Sequence, residues 1–204
     1  MNHYFTNENL PSNLKKINVS IKDKTFTFNT DNGVFSKKGL DFGTRSLINS
    51  ILDLDIKGDV LDLGCGYGVV GIILSSFFDI KVDMVDVNKR ALHLSKMNLK
   101  ENNVEANVFE SNIYESINKK YDYIITNPPI RAGKDTVYKF LFGAKDYLKE
   151  NGYLIYVMNK NQGAKSSIKY LEEVADLEVL SKTSGFFIIK CKFHWHIEKN
   201  MRII

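Results

Sequence analysis

The sequence predicts an α/β fold: a doubly wound, mostly parallel sheet of seven strands, with an antiparallel C-terminal hairpin and a small N-terminal β flap. Three observations support this prediction. From Asp59 onward, apolar strand-like runs alternate with helical segments, which is typical of a parallel sheet. Only Ser184 and Gly185 separate the last two strand-like runs, which favours an antiparallel hairpin. Apolar and polar residues also alternate on both sides of a turn within residues 17–35, which predicts a hairpin near the N-terminus.

The elements after this N-terminal hairpin are expected in a regular order. A first helix, TRSLINSILDL, has Thr44 as its expected N-cap and carries apolar residues on one face. The seven strand-like runs that follow are DVLDL, KVDMVDV, ANVFE, YDYIIT, YLIYVM, EVLSKT and FFIIKCKFHW. The helices between them are expected at about 69–78, 89–102, 134–149 and 165–175, the third ended by Asn151 and Gly152. We expect a boundary near Gly39, with a flap on the substrate side in residues 1–38 and the α/β domain in residues 39–204.

Composition restricts the classes of protein to consider. The chain has 204 residues, 44% hydrophobic and 25% charged, which is enough to form the core of one domain. Its two cysteines, Cys65 and Cys191, match no metal-ligand spacing, so we expect no metal and a reducing cytoplasm. The first residues have no apolar core like that of a secretory leader, and no run approaches the roughly 20 apolar residues of a membrane span. The net charge of +4 suits a polyanionic partner, and simple solubility explains it equally well.

The first loop with distinctive chemistry is VLDLGCGYGVVG, residues 60–71. Its spacing is D-x-G-x-G-x-G, formed by Asp62, Gly64, Gly66 and Gly68, and it differs from the G-x-G-x-x-G of a dinucleotide site. An acidic residue inside the loop would repel a pyrophosphate and attract an ammonium group. Asp86 ends the next strand, where a carboxylate can accept hydrogen bonds from the hydroxyls of a ribose. The two acids therefore indicate a nucleoside with a cationic amino-acid tail.

The second loop is Asn127-Pro128-Pro129-Ile130, which follows the apolar run YDYIIT. Two consecutive prolines form a stiff, extended turn that leaves the carbonyl of Pro128 free to accept an external hydrogen bond. The side-chain oxygen of Asn127 is a second acceptor. Two acceptors held apart by a rigid turn can orient the NH2 group of a nucleobase or of a side-chain amide. Catalysis at such a site would depend on positioning and electrostatics, without a strong base.

These loops carry a resemblance to a known family. The first resembles the cofactor loop of class I S-adenosylmethionine-dependent methyltransferases, which have a Rossmann-like fold. The N-P-P-I run resembles the signature of amino-methyltransferases that act on adenine N6, guanine N2 or glutamine amides. Together with the opening HYF and the run GVFSKKGLDFGTRSLI, nearly the whole chain resembles the small-methyltransferase-domain group of small-subunit ribosomal RNA guanine-N2 methyltransferases C. The resemblance implies S-adenosylmethionine as the cofactor and ribosomal RNA, or the small ribosomal subunit, as the partner.

The resemblance also assigns roles to residues. Orientation of the amine is expected from Asn127, Pro128, Pro129 and Ile130, and contacts with the substrate from Phe35, Arg131 and Lys134. The residues expected to bind the cofactor are Asp62, Gly64, Cys65, Gly66, Gly68, Asp86, Val87, Asn112, Ile113, Asn127, Phe42 and Thr44. Cys65 fills space in the loop. The carbonyl of Asn112 would replace the usual acidic acceptor for the adenine amino group, and the N–H of Ile113 would bind a ring nitrogen.

Two of these assignments have alternatives. Asn112 is also interpretable as an ordinary loop residue, and Phe42 with Thr44 as a helix cap with a buried phenylalanine. Most adenine and glutamine enzymes carry Tyr or Phe where this chain has Ile130, so the flat substrate must stack elsewhere. Phe35, Phe42 and Tyr4 are the candidates.

The predicted function is methylation of an exocyclic amine of RNA, with guanine N2 preferred. A protein-glutamine methyltransferase of the release-factor type is an alternative, against which Ile130 and the basic charge weigh. A non-catalytic RNA-binding assembly factor is a second alternative, against which the intact Asn127 weighs. For RNA contacts we favour Arg131, Lys134 and the lysine pairs at 15–16 and 37–38, and we interpret Lys190 and Lys192 as the solvated face of an edge strand. The oligomeric state stays open.

Overall fold

The computed structural model describes residues 11–34, 36 and 39–195. Its first element is the predicted N-terminal hairpin, in which β1 (Lys15–Ile21) pairs antiparallel with β2 (Lys24–Thr30). Lys22 takes a left-handed backbone conformation in the connecting turn. Of the apolar residues that alternate along the two strands, Val19, Ile21, Phe26 and Phe28 are buried, Phe28 completely, and Ile17 is half-buried. The hairpin is therefore anchored by its apolar face.

The main sheet has seven strands, which confirms the predicted fold class. The strands are β3 (Gly58–Leu63), β4 (Ile80–Asp86), β5 (Asn107–Glu110), β6 (Tyr121–Thr126), β7 (Leu148–Asn159), β8 (Ala175–Thr183) and β9 (Phe186–Phe193). Their order across the sheet is β5-β4-β3-β6-β7-β9-β8. The first five strands pair in parallel, whereas β9 is antiparallel to both β7 and β8. The C-terminal hairpin is thus where the sequence placed it.

Helices cover both faces of this sheet. They are α1 (Phe42–Ile51), α2 (Val69–Phe77), α3 (Lys89–Glu101), α4 (Lys134–Phe142), α5 (Ala144–Tyr147) and α6 (Ala164–Leu171). Residues of α1, α2, α3 and the N-terminal hairpin share one hydrophobic cluster, and residues of α4, α5 and α6 belong to a second. We refer to these as the first and the second cluster. None of the helices in the part of the chain that the structure describes is long and apolar enough to cross a membrane.

The N-terminal hairpin docks on α3 through buried amide groups. Asn98 is completely buried, and its side-chain oxygen accepts hydrogen bonds from both nitrogens of Asn29, at 2.7 and 3.1 Å. Its NH2 group donates to the carbonyls of Asn29 and Tyr67, at 3.1 and 2.8 Å. Because Tyr67 belongs to the first loop, one asparagine links the hairpin, α3 and that loop.

Three element boundaries differ from the predicted ones. Helix α1 begins at Phe42, and its N-cap is Asp41, whose side chain accepts from the N–H of Thr44 at 3.0 Å. Thr44 was therefore the wrong cap, and it lies inside the first turn of the helix. Helix α6 ends at Leu171, and Ala175, the predicted end of this helix, begins β8.

The helix expected over 134–149 breaks at Gly143. The hydroxyl of Tyr114 donates to the carbonyl of Phe140 at 2.7 Å, and the ring of Tyr114 lies so close to Gly143 that a Cβ there would be 2.9 Å from it. The chain resumes as the short helix α5, and β7 begins at Leu148, before the predicted end at Asn151 and Gly152. A contact with a residue far away in sequence thus ends this helix early.

Candidate active site

The two loops singled out in the sequence lie side by side in the structure. Strands β3 and β6 are parallel neighbours, with Asp62 opposite Ile125. At the next position the hydroxyl of Thr126 donates to the carbonyl of Leu63 at 2.8 Å, which joins the two strand ends. Gly64 and Asn127 follow directly. The site is therefore built at the carboxyl edge of the sheet, where open α/β sheets bind ligands.

The first loop offers open space next to its backbone. Gly66 takes the left-handed conformation, with φ of +57°, and a Cβ added to it would meet nothing within 4 Å. At Gly68, with φ of +93°, a Cβ would instead lie 2.7 Å from Cε of Met84. Glycine is thus required at 68 by the protein itself, whereas the space above Gly66 is free for a ligand.

Two carboxylates lie next to the first loop, Asp62 buried and Asp86 half-buried. Asp62 is 3% exposed, and one of its oxygens accepts from the N–H of Gly71 at 2.8 Å. Burial and the nearby charge of Asp86 raise the pKa of Asp62 to about 7, although that hydrogen bond opposes the rise. Burial also raises the pKa of Asp86. No cationic side chain of the described residues contributes to either shift, so a cationic ligand group would supply the missing countercharge.

Asp86 holds the end of β4 against the first loop. One of its carboxylate oxygens accepts from the N–H of Gly66 and the other from the N–H of Asn88, both at 2.9 Å. Val87, between Asp86 and Asn88, is half-buried, and its N–H also stabilises the ionised carboxylate, which lowers the pKa of Asp86. Three N–H groups thus occupy three of the roughly four acceptor sites of the carboxylate, which leaves one for a hydroxyl donor.

A third segment, residues 111–113, joins the same edge through the N–H of Ser111, which donates to the carbonyl of Asp86 at 3.1 Å. Asn112 is exposed, and its NH2 group donates to Glu115 at 2.8 Å. Its side-chain oxygen therefore points away from Glu115, where it can accept a hydrogen bond. Ile113 has φ of +56°, a left-handed conformation that is rare for a β-branched residue. The hydroxyl of Ser111 donates to the carbonyl of Ile113 at 2.9 Å and holds it there. Both residues predicted to contact an adenine thus lie beside Asp86.

The second loop presents the expected pair of acceptors. The NH2 group of Asn127 donates to the hydroxyl of Thr44 at 2.9 Å, which turns the side-chain oxygen of Asn127 the other way. The carbonyl of Pro129 accepts from Ala132 at 2.9 Å, and that of Ile130 from Gly133 at 3.2 Å. Within the described part of the chain, no N–H donates to the carbonyl of Pro128. Among the described residues, therefore, the structure records no group that donates to the side-chain oxygen of Asn127 or to the carbonyl of Pro128.

The remaining predicted residues have varied positions. Phe42, at the start of α1, is 44% exposed, so the alternative of a buried phenylalanine is wrong. Ile130 is half-buried and packs against the second cluster. Arg131 and Lys134 are exposed, and the ammonium of Lys134 lies over the rings of Tyr138 and Tyr170, at 5.2 and 5.5 Å. Phe35, Tyr4 and the lysines at 37 and 38 lie outside the described residues.

Neither a metal site nor a nucleophilic cysteine accompanies these groups in the part of the chain that the structure describes. No group of three or more His, Cys, Asp or Glu side chains is arranged to hold a metal ion there. Cys65 is buried, and burial together with the charges of Asp62 and Asp86 raises the pKa of its thiol well above the usual value. The thiol is therefore protonated at neutral pH and fills space in the loop.

The comparison with family models covers most of the chain. The model described as "Methyltransferase small domain" matches residues 25–190. The chain belongs to this family. The matched residues run from within β2 to within β9 and include both loops.

Two relatives of this methyltransferase small domain differ in length. The chain is 40% identical over 196 residues to the uncharacterized protein YbxB of Bacillus subtilis, which covers 93% of the chain and 98% of that relative. It is 36% identical over 165 residues to the ribosomal RNA small subunit methyltransferase C of Haemophilus influenzae, covering 78% of the chain and 49% of that relative. The chain spans about half the length of the methyltransferase C relatives that it matches.

A solved structure has the same fold. The 16S rRNA N2 G1207 methyltransferase (RsmC) of T. Thermophilus, in complex with AdoMet and guanosine, superposes with a TM-score of 0.81 at 24% identity. The match covers 92% of this chain and 52% of that chain. At this level of identity the likeness concerns the fold.

Three features of this methyltransferase small domain were not predicted from the sequence. Asp41 caps α1, and its pattern with Thr44, three residues later, was a usable signal. The contact of Thr44 with Asn127 had no local signal, because 83 residues separate the two. The burial of Tyr67 in the first loop, where it is 4% exposed and packs against Phe28, was not predicted either.

Proposed function

We propose that this protein transfers a methyl group from S-adenosylmethionine to an exocyclic amine of RNA, most specifically to guanine N2 of small-subunit ribosomal RNA. One observation carries the proposal: the ends of β3 and β6 are neighbours, so the acidic glycine loop and the two acceptors of the second loop border one site. The first loop suits a cationic nucleoside and the second a trigonal NH2 group.

The residues present fit S-adenosylmethionine, which when bound supplies an electrophilic methyl group on a positively charged sulfur. In this proposal Asp62 attracts the ammonium of the methionine tail, and Asp86 accepts from the ribose hydroxyls. The open space over Gly66 admits the ligand close to the backbone. The free oxygen of Asn112 accepts from the adenine amino group, and the N–H of Ile113 donates to a ring nitrogen. Gly64, Cys65 and Val87 complete the wall of this site.

The second loop then orients the amine. The oxygens of Asn127 and Pro128 accept one N–H each, which fixes the nitrogen with its lone pair directed toward the cofactor side. Thr44 keeps the amide of Asn127 in the required orientation by accepting from its NH2 group. The nitrogen lone pair would form the new N–C bond as the methyl carbon separates from the sulfur, which keeps the bonding electrons and leaves as the neutral thioether S-adenosylhomocysteine. The methylated nitrogen would then carry a positive charge and lose an N–H proton to water, without a dedicated base. Asn127 and Pro128 thus act by orientation and charge stabilisation.

Ribosomal RNA as the substrate is supported by the relatives and by charge. The methyltransferase C relatives are named for the RNA of the small ribosomal subunit, and the structural neighbour of T. Thermophilus is described with guanosine. The net charge of +4 suits a polyanion. In this proposal Arg131 and Lys134, exposed after the second loop, contact the backbone phosphates, the N-terminal flap covers the substrate side, and the protein acts in the cytoplasm.

Substrate partition with labelled cofactor tests the proposal. The protein and tritiated S-adenosylmethionine are incubated with one acceptor in each reaction. The acceptors are deproteinised ribosomal RNA, assembled small subunits and a release factor. The proposal expects label in RNA, recovered after digestion as N2-methylguanosine, and none from the Asn127→Ala variant. Label in N6-methyladenosine would overturn the guanine assignment, and label in the release factor would overturn the RNA assignment. Cofactor binding without transfer to any acceptor would indicate an assembly factor.

A further inference from the structure

We infer that Phe42 and Phe186 together form an aromatic platform that stacks on the target base, and that Phe42 therefore serves the substrate and not the cofactor. The inference rests on the proposed function and adds the residues that hold the plane of the base. It answers the question that Ile130 raises, because this position of the second loop offers no flat ring.

Phe42 is exposed at the place where a substrate would need it. It is 44% exposed, and only Leu14, Tyr170 and Val179 are comparable large apolar side chains among the described residues. Phe42 lies two residues before Thr44, which contacts the amide of Asn127 at 2.9 Å. An aromatic ring left in water beside a site for a flat group gains free energy when such a group covers it.

Phe186 supports Phe42 and is itself held firmly. The centroids of the two rings are 5.7 Å apart, with 42° between the ring planes. Gly43 makes this contact possible, because a Cβ on it would lie 2.8 Å from Cε1 of Phe186. Phe186 starts β9 opposite Asn159, and the preceding Gly185 accepts from the N–H of Lys160 at 2.7 Å. The platform is therefore fixed both to α1 and to the carboxyl end of β7.

The platform and Asn127 face the same side of the sheet. Asn127 follows Ile125 by two residues. Ile125 belongs to the first cluster, and Phe186 packs against the same cluster. Because side chains alternate along a strand, Asn127 points to the α1 side, and its contact with Thr44 agrees with this. Ile130 packs against the second cluster, on the opposite face. An aromatic surface for the base is thus available on the side that the amide occupies.

The strand register gives the separation between Asn127 and the platform. Thr126 lies opposite Tyr156, so Asn127 is level with Val157, two residues before Asn159 and its partner Phe186. Strands β6 and β9 are separated by β7, which gives about 10 Å across the sheet and about 7 Å along it between the two backbones. A purine whose amine is held at Asn127 extends into this interval, toward the rings.

The test compares Phe42→Ala with a matched variant in another aromatic pair of the same sheet. Tyr153→Ala disrupts the Tyr123–Tyr153 pair, whose centroids are 5.9 Å apart and which lies four residues before Asn127 in the strand register. Calorimetry measures the Kd of guanosine in the presence of S-adenosylhomocysteine and the Kd of S-adenosylhomocysteine alone. Transfer assays measure KM for ribosomal RNA. Circular dichroism checks that each variant is folded.

Phe42→Ala should raise the Kd of guanosine and the KM for RNA by about 5- to 150-fold, the range for loss of one base–aromatic stack. Its affinity for S-adenosylhomocysteine should stay within about twofold, and Phe42→Tyr should restore guanosine binding. Tyr153→Ala should leave the guanosine Kd and the RNA KM unchanged. Unchanged values for Phe42→Ala, or a loss confined to S-adenosylhomocysteine, would overturn the platform while the proposed function stands. Absence of RNA methylation by the unmodified protein would overturn the proposed function first.

Discussion

The contact between Thr44 and Asn127 permits the sharpest mutational prediction. Thr44→Val removes the acceptor of the 2.9 Å hydrogen bond but keeps the shape of a side chain that is only 7% exposed. The Asn127 amide then loses the group that turns its oxygen outward. An unsatisfied buried donor costs about 1–3 kcal/mol. Because Asn127 is only half-buried and water can reach it, we expect the lower half, about 1–2 kcal/mol.

This cost corresponds to a fall in kcat of about 5- to 30-fold. The assay is steady-state methyl transfer to ribosomal RNA at saturating cofactor, with the Kd of S-adenosylhomocysteine measured by calorimetry. The Kd should stay within about twofold, and Thr44→Ser, which retains the hydroxyl, should recover most of kcat. A kcat for Thr44→Val within twofold of the unmodified protein would refute the proposed orientation of Asn127. A loss of cofactor affinity without a loss of kcat would instead indicate that Thr44 contacts the cofactor.

Three further predictions concern the acids and the framework of the site. Affinity for S-adenosylhomocysteine should fall as pH drops through about 7, because protonation of Asp62, whose pKa is raised to about 7, removes the charge that attracts the ammonium. The Asp62→Asn variant should bind this ligand more weakly, and its affinity should depend less on pH. Calorimetry at several pH values checks both. Asn98→Ala removes hydrogen bonds to Asn29 and Tyr67 and should lower the free energy of unfolding by about 2–4 kcal/mol in urea titrations, and a loss under 1 kcal/mol would contradict the anchoring role. Gly68→Ala meets both a φ of +93° and Cε of Met84 at 2.7 Å and should cost about 1–3 kcal/mol of stability. Gly66→Ala meets a φ of +57° but open space, so it should cost less stability than Gly68→Ala and should reduce ligand affinity.

The sheet was predictable from sequence because its strands carry an unambiguous signal. Residues 60–63 and 124–126 are buried on both faces and are apolar apart from Asp62 and Thr126 near the strand ends, so they differ from the helical pattern around them. The D-x-G-x-G-x-G spacing and the two prolines likewise predicted where the strands end, because glycine and proline restrict backbone geometry directly. Both loops therefore lie where the sequence indicated.

The remaining details depend on contacts between distant segments. The helix expected over 134–149 ends early because Tyr114, some thirty residues before its break, binds the carbonyl of Phe140 and packs against Gly143. The cap of α1 was misplaced because Asp41 and Thr44 are both good N-cap residues, and only the folded chain shows which one accepts the hydrogen bond. The partner of Asn127 and the ring beside Phe42 come from other elements, and no local pattern announces them.

The central claim is that the ends of β3 and β6 border a single site for a methyl donor and an amine. A crystal structure of the protein with S-adenosylhomocysteine and guanosine tests it most directly. We expect the ammonium of the ligand next to Asp62, its ribose hydroxyls on Asp86, and the guanine amine between the oxygens of Asn127 and Pro128. A ligand bound at another edge of the sheet, or an amine turned away from Asn127, would contradict it.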